Sequence, residues 1–176
     1  MSKSQDYIDQ NKDKFVEELF DLLRIPSVST DSSKKDAIKE AAKFLLNQFN
    51  SFDLERVELF ETQGNPIVYA EHCPHDDKPT VLVYGHYDVQ PSDPDELWDS
   101  PAFEPVVKNG NVYARGASDD KGQSYTHVKA IESFRKTGQE IPVNVKFILE
   151  GEEELARRIW FRSLLSTKRC LIAIWC

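Results

Sequence analysis

The segment Thr80-Val81-Leu82-Val83-Tyr84 is an unbroken apolar run, too short for a helix and rich in β-branched and aromatic residues. Such a run is expected in a strand buried on both faces, as in the parallel part of a sheet. A helical pattern follows over roughly Lys121–Lys136, with Gly138 as its stop, and then Pro142–Leu149 alternates Val143, Val145, Phe147 and Leu149. Upstream, apolar residues recur at helical spacing over Asp6–Arg24, with Pro26 beyond the end, and again over Ser33–Phe49. Leu54–Phe60 and Ile67–Ala70 read as short strands. Asn109-Gly110 between Val106-Val107 and Val112-Tyr113 is a hairpin turn. Helices alternating with apolar strands argue an α/β sandwich with a mixed sheet.

The chain has 176 residues, enough for one domain with a sizeable core, and a net charge of −8. Its acidic balance argues against a nucleic-acid partner, because phosphates would be repelled. No run of about 18 apolar residues offers a membrane span, and Met1–Lys14 contains no apolar leader. Cys73, Cys170 and Cys176 are too few and too scattered for a disulfide framework. A cytoplasmic location is the expectation. The charge is unevenly placed: residues 155–176 hold five basic residues and no acid, leaving 17 basic against 30 acidic residues in 1–154. Two readings of this segment stand, a basic amphipathic tail for a surface and a stretch foreign to the fold; the second is preferred. The division expected is therefore 1–154 as the folded unit and 155–176 as an atypical tail.

The residues with chemical character collect just after the strands, where open α/β sheets bind their ligands. His86 and Asp88 follow Thr80–Tyr84, Asp119 and Asp120 precede the third helix, and Glu150-Gly151-Glu152-Glu153-Glu154 follows Pro142–Leu149. Each has an ordinary explanation on its own. His86 reads as a hydrogen-bonded strand end, Asp119 and Asp120 as a helix cap, and the glutamates as a solvated loop. Together they supply an imidazole and carboxylates from three loops, the donor set of a catalytic zinc site with an open position for water. Asp88, two residues from His86, is placed to fix its tautomer. Adjacent buried glutamates raise each other's pKa unless a cation neutralises them. His72 and His75, beside Cys73 and Pro74, read as a solvated turn, and His127 as a packing or surface residue of the third helix.

At these clusters the sequence resembles the co-catalytic zinc metallopeptidase family of aminoacylase, acetylornithine deacetylase and carnosinase-like dipeptidases. The similarity lies in Gly85-His86-Tyr87-Asp88-Val89-Gln90-Pro91, in Trp98–Pro105, in Arg115–Gly122 and in Glu150–Glu154. It covers about 1–154, and Tyr87 with Gln90-Pro91 is closest to the dipeptidase branch. The resemblance implies a three-layer α/β/α sandwich with a mixed sheet, truncated here. It implies two divalent metal ions, zinc first and cobalt or manganese as substitutes. His86 would bind one ion, Asp119 would bridge both and Glu154 would bind the other. Asp88 would orient His86, and Glu153 would act as general base. A non-proline cis peptide would follow Asp119, and Ser27 and Ser29 would be structural. The implied substrate is a small peptide, and intact members are expected to be homodimers. N-acyl amino-acid deacylation is the alternative chemistry, and an inactive fragment serving as a binding module is the non-enzyme alternative.

The likeness stops at Glu154. The family continues there with a Gly-Ser turn, a further Asp ligand, a second domain that clamps substrate and a late His ligand; here the chain reads Leu155-Ala156-Arg157-Arg158. Loss of one base from ATT-GGC-TCG gives TTG-GCT-CG, which reads Leu-Ala-Arg, so a frameshift origin for the tail is the expectation. With three of five ligands present, weak metal binding and little or no hydrolysis are expected of this chain.

Overall fold

A computed structural model describes residues 2–155. The basic segment 156–176, with Cys170 and Cys176, lies outside the described residues, and so does its expected separation from the folded unit.

Helix α1 (Lys3–Arg24) begins three residues before the expected start. The reason is a capping box: the Ser2 hydroxyl accepts the Gln5 N–H at 3.3 Å, and the Gln5 side chain accepts the Ser2 N–H at 3.0 Å. Helix α2 (Lys35–Asn50) follows, then strands β1 (Arg56–Phe60), β2 (Ile67–His72) and β3 (Thr80–His86). The hairpin β4 (Val106–Lys108) and β5 (Asn111–Tyr113) turns through Asn109 and Gly110 at φ of 53° and 78°. Helix α3 (Lys121–Thr137) ends on Gly138 at φ 63°, and β6 (Asn144–Glu150) closes the core.

The sheet order is β1-β2-β6-β3, with β1 and β6 antiparallel to β2 and β3 parallel to β6. It is a mixed sheet, and α3 is the crossover that parallel neighbours need. All three helices pack on one face. Leu22 of α1, Ala41, Leu45 and Phe49 of α2, and Val128 of α3 share a core with Val68, Ala70, Val145, Phe147 and Leu149. The other face gathers Ile67, Tyr69 and Ile148 with Phe60 and Leu82. The described residues therefore supply the sheet and one helical layer of the expected sandwich.

Two sequence readings change. β3 is not buried on both faces: Val81 and Tyr84 are 46% and 45% exposed, because β3 is the outer strand of the described sheet. His72 is not in a solvated turn. It ends β2, is buried, and its Nδ1 lies 2.8 Å from Glu55 Oε2. His75 is also tied down, with its N–H donating to Asn144 Oδ1 at 3.1 Å. His127 is exposed on α3. Among the described residues, no helix is long and apolar enough to cross a membrane.

Lys121 is the buried tie between the α3 entry and α1. Its side-chain nitrogen donates to the carbonyls of Leu22 at 3.0 Å and Ile25 at 2.7 Å, at the last turn and cap of α1. Burial lowers its pKa to about 7, against the pull of Asp88 and Glu40. A lysine whose folded pKa lies below its unfolded value makes stability rise with pH between the two. Lys121→Met should lower stability near pH 8 by about 1–2 kcal/mol, the lost carbonyl bonds being partly offset because no lysine has to give up its proton on burial. Urea titrations from pH 7 to pH 10 should show the stability of the wild type rising relative to that of the variant, in which every other group, His86 included, titrates as before.

Candidate metal centre

β3 ends on Gly85-His86, and the first turn of α3 sits directly against it. A Cβ on Gly85 would lie 2.0 Å from Ser124 Oγ and 2.5 Å from Asp120 Oδ2, so only glycine admits this approach. The closeness lets Asp120 Oδ2 accept the His86 N–H at 3.0 Å and the Ser124 hydroxyl at 2.5 Å. The Asp119–Asp120 peptide is cis.

The imidazole of His86 is held at both nitrogens. Nδ1 lies 3.0 Å from the Asp88 main-chain carbonyl and 3.4 Å from Asp88 Oδ1; Nε2 lies 3.1 Å from Asp119 Oδ1. A carbonyl oxygen can only accept, so Nδ1 carries the proton, and in the neutral ring Nε2 is a lone pair aimed at a carboxylate. Two acceptors in contact require a cation between them or a proton on the ring. Without another cation the ring takes the proton: burial opposes its charge, but Asp88 outweighs burial and lifts the pKa to about 9.

Asp88 is fully buried. Its Oδ2 accepts the Ser29 hydroxyl at 2.6 Å and the Glu154 N–H at 3.1 Å, while Oδ1 has no hydrogen-bond partner. The expected tie between Asp88 and His86 thus runs first through the main chain, and the carboxylate spends its bonds on two other segments.

The acidic loop leaves β6 at Glu150, whose carboxylate accepts the Tyr84 hydroxyl at 2.9 Å and the Glu152 N–H at 2.7 Å. A short turn, Glu153–Leu155, then carries Glu153 and Glu154 toward the imidazole. His86, Glu153 and Glu154 each offer a ligand atom, and these atoms lie within 4.8 Å of one another. The Glu154 carboxyl is pushed up, by burial first and then by Glu153 and Asp119, while the Gln90 amide donates to it. Imidazole nitrogen and carboxylate oxygens crowded this way form a donor set that suits a divalent cation.

The structure therefore brings His86, Glu153 and Glu154 together, sets Asp119 against His86, and puts Asp88 behind the ring. Glu153, expected as base, joins His86 and Glu154 in that group, and the expected ligand Asp119 meets His86 from outside it. Ser124 and Gln90 are not singled out by the sequence, and Asp120, which reads there as a helix cap, instead bonds the His86 N–H and the Ser124 hydroxyl. The i, i+4 spacing of Asp120 and Ser124 is the signal that could have found two of them.

Residues 82–167 match peptidase family M20/M25/M40. The Cys-Gly metallodipeptidase dug1 of Schizosaccharomyces pombe is 34% identical over 164 residues, which cover 88% of this chain and 34% of the relative. The beta-Ala-His dipeptidase of Mus musculus is 36% identical over 160 residues, covering 84% and 32%. The crystal structure of human carnosine dipeptidase 1 superposes with a TM-score of 0.87 at 29% identity, over 96% of this chain and 38% of that one. The chain thus spans about a third of the length of the curated relatives it matches. It is similar to peptidase family M20/M25/M40 over residues 82–167, and to dipeptidases over more than four-fifths of its own length.

Proposed function

We propose that this chain carries the amino-terminal part of a metal-dependent dipeptidase centre, which hydrolyses a peptide bond in a small peptide with activated water. The observation that carries the reading is the Nε2 of His86, an acceptor facing carboxylates of two other loops. His86, Asp119 and Glu154 would hold two divalent ions, zinc being the first choice. When bound, the ions supply electrophilic polarisation of the scissile carbonyl and lower the pKa of water. The residues do the rest. The Asp88 carbonyl keeps the proton on Nδ1 and so leaves Nε2 free to bind. Glu153 takes a proton from the attacking water and returns it to the departing amine nitrogen. Asp120 fixes the main chain of His86, so the ring cannot withdraw along β3.

Three of the five ligands implied by the resemblance lie in this chain, so metal uptake should be weak and peptide hydrolysis slight. Equilibrium dialysis against zinc, with elemental analysis of metal per chain, tests the site. The wild type should take up zinc, and His86→Ala should bind at least about 100-fold more weakly. Equal zinc in both proteins would end the assignment. Brisk dipeptide turnover by the 176-residue chain would instead show that three ligands are sufficient.

A further inference from the structure

The segment between α1 and α2 runs beside the end of β3. Val28 forms a parallel bridge with Val89, the Val89 N–H donates to the Ser27 carbonyl at 3.0 Å, and the Ser27 hydroxyl donates to the Tyr87 carbonyl at 2.6 Å. Those bonds splint the main chain on either side of Asp88. Ser29 differs from them, because its hydroxyl reaches the Asp88 carboxylate itself, at 2.6 Å. The same oxygen accepts the Glu154 N–H, at 3.1 Å. One buried carboxylate oxygen thus joins three segments far apart in sequence, and Ser29 is its only side-chain donor among the described residues. Asp88 Oδ1, turned the other way, faces Nδ1 of His86 at 3.4 Å. The rotation of a single carboxylate therefore sets both its distance to the ring and the anchor of the acidic turn.

We propose that Ser29 is a positioning residue of the metal centre: by holding Asp88 Oδ2, it fixes through one carboxylate both the His86 ring and the main chain of Glu154. The role differs from general support of the fold. Without the hydroxyl, Oδ2 keeps one weak donor in a fully buried place, and the carboxylate turns to find another. Glu154 then loses its main-chain anchor, while the ladder of the sheet, in which Ser29 takes no part, stays as it was. The proposal rests on the metal-site reading above.

The test uses the full 176-residue chain as wild type, Ser29→Ala, Ser29→Thr and His86→Ala. Amide hydrogen exchange is followed by NMR without metal, and cobalt(II) binding by visible absorption. Ser29→Ala should speed exchange at the Glu154 amide at least about 10-fold and weaken cobalt binding by about 10–100-fold. Exchange at Tyr69 and Ile148, in the sheet, should not change. Ser29→Thr keeps the hydroxyl and should restore both readouts. Unchanged exchange at Glu154 in Ser29→Ala would overturn the proposal, and so would equal acceleration at Glu154, Tyr69 and Ile148, which would mark Ser29 as merely structural. Acceleration confined to Glu154, with cobalt binding the same in wild type and His86→Ala, would uphold the positioning of Glu154 by Ser29 and overturn the metal reading instead.

Discussion

Replacing Lys129 with alanine should destabilise the chain by about 3–5 kcal/mol, a large share of the 5–15 kcal/mol that typically holds a domain together. The ammonium of Lys129 is buried where α1, α2 and α3 meet. It lies 2.6 Å from Glu18 Oε2, 2.7 Å from Glu132 Oε2 and 2.7 Å from Gln48 Oε1. It also stands 5.0 Å from the ring centre of Phe15 and 4.9 Å from that of Tyr125. The two carboxylates accept further bonds, Glu132 from the Tyr7 hydroxyl at 3.1 Å and Glu18 from the Tyr125 hydroxyl at 3.2 Å. Burial, and then Glu132, push the Tyr7 phenol up to about 12, so it stays a donor throughout the neutral range. Removing Lys129 strands the Glu132 carboxylate, which is only 2% exposed and cannot reach water, while Glu18 keeps its ion pair with Lys14 at 3.6 Å. Urea denaturation provides the measurement. Adding Glu132→Gln to the alanine variant should recover part of the loss, because it removes the stranded charge. A loss under about 1 kcal/mol for the single variant would mean that water already solvates this junction.

The second large effect is expected at Gly122, in the first turn of α3. A Cβ there would lie 2.0 Å from the carbonyl oxygen of Ala117, a main-chain atom that cannot swing aside. The Gly122 N–H also donates to the Gly116 carbonyl at 3.1 Å, so the turn from Gly116 to Asp120 is folded tightly under the helix start. Gly122→Ala should therefore cost about 3 kcal/mol, the upper end for overpacking. For a chain of this size that lowers the thermal midpoint by about 6–12 °C. Relief can come only by moving residues 117–120, which include Asp119 and Asp120. Zinc uptake should fall along with stability, and a variant that unfolds earlier yet binds zinc like the wild type would show that the turn yields away from the site.

Much of the architecture could be read from pattern alone, for reasons that are local. Gly138 ends α3 and Asn109-Gly110 turns the hairpin because left-handed backbone is needed at Asn109, Gly110 and Gly138 and these residue types supply it. The alternation over Pro142–Leu149 marks β6 because one parity, Val145, Phe147 and Leu149, meets the helices. The apolar run of β3 misled because hydrophobicity reports what a strand is suited to, not how many neighbours it has. His72 misled in the other direction: Pro74, Asp76 and Asp77 signal a turn, but the pairing of β2 with β1 and β6 carries the strand through to His72. At the site, residue types in three loops point to the donor set of a cation centre, and the structure brings His86, Glu153 and Glu154 together. The wiring did not show, since nothing local says that Ser29 and Glu154 will share one oxygen of Asp88, or that Asp120 will take the His86 N–H.

The three bonds that fasten Asp88 and its flanks into the centre span long stretches of chain: 60 residues from Ser27 to Tyr87, 59 from Ser29 to Asp88, and 66 from Asp88 to Glu154. None can form as a local nucleus, and each must wait for loop closure whose entropic cost is met by the rest of the molecule. Folding therefore delivers its chemistry last. An early, helix-rich collapsed chain would hold every donor yet present no pocket for a cation, and the appearance of metal affinity during refolding would time the final docking of strand and loop.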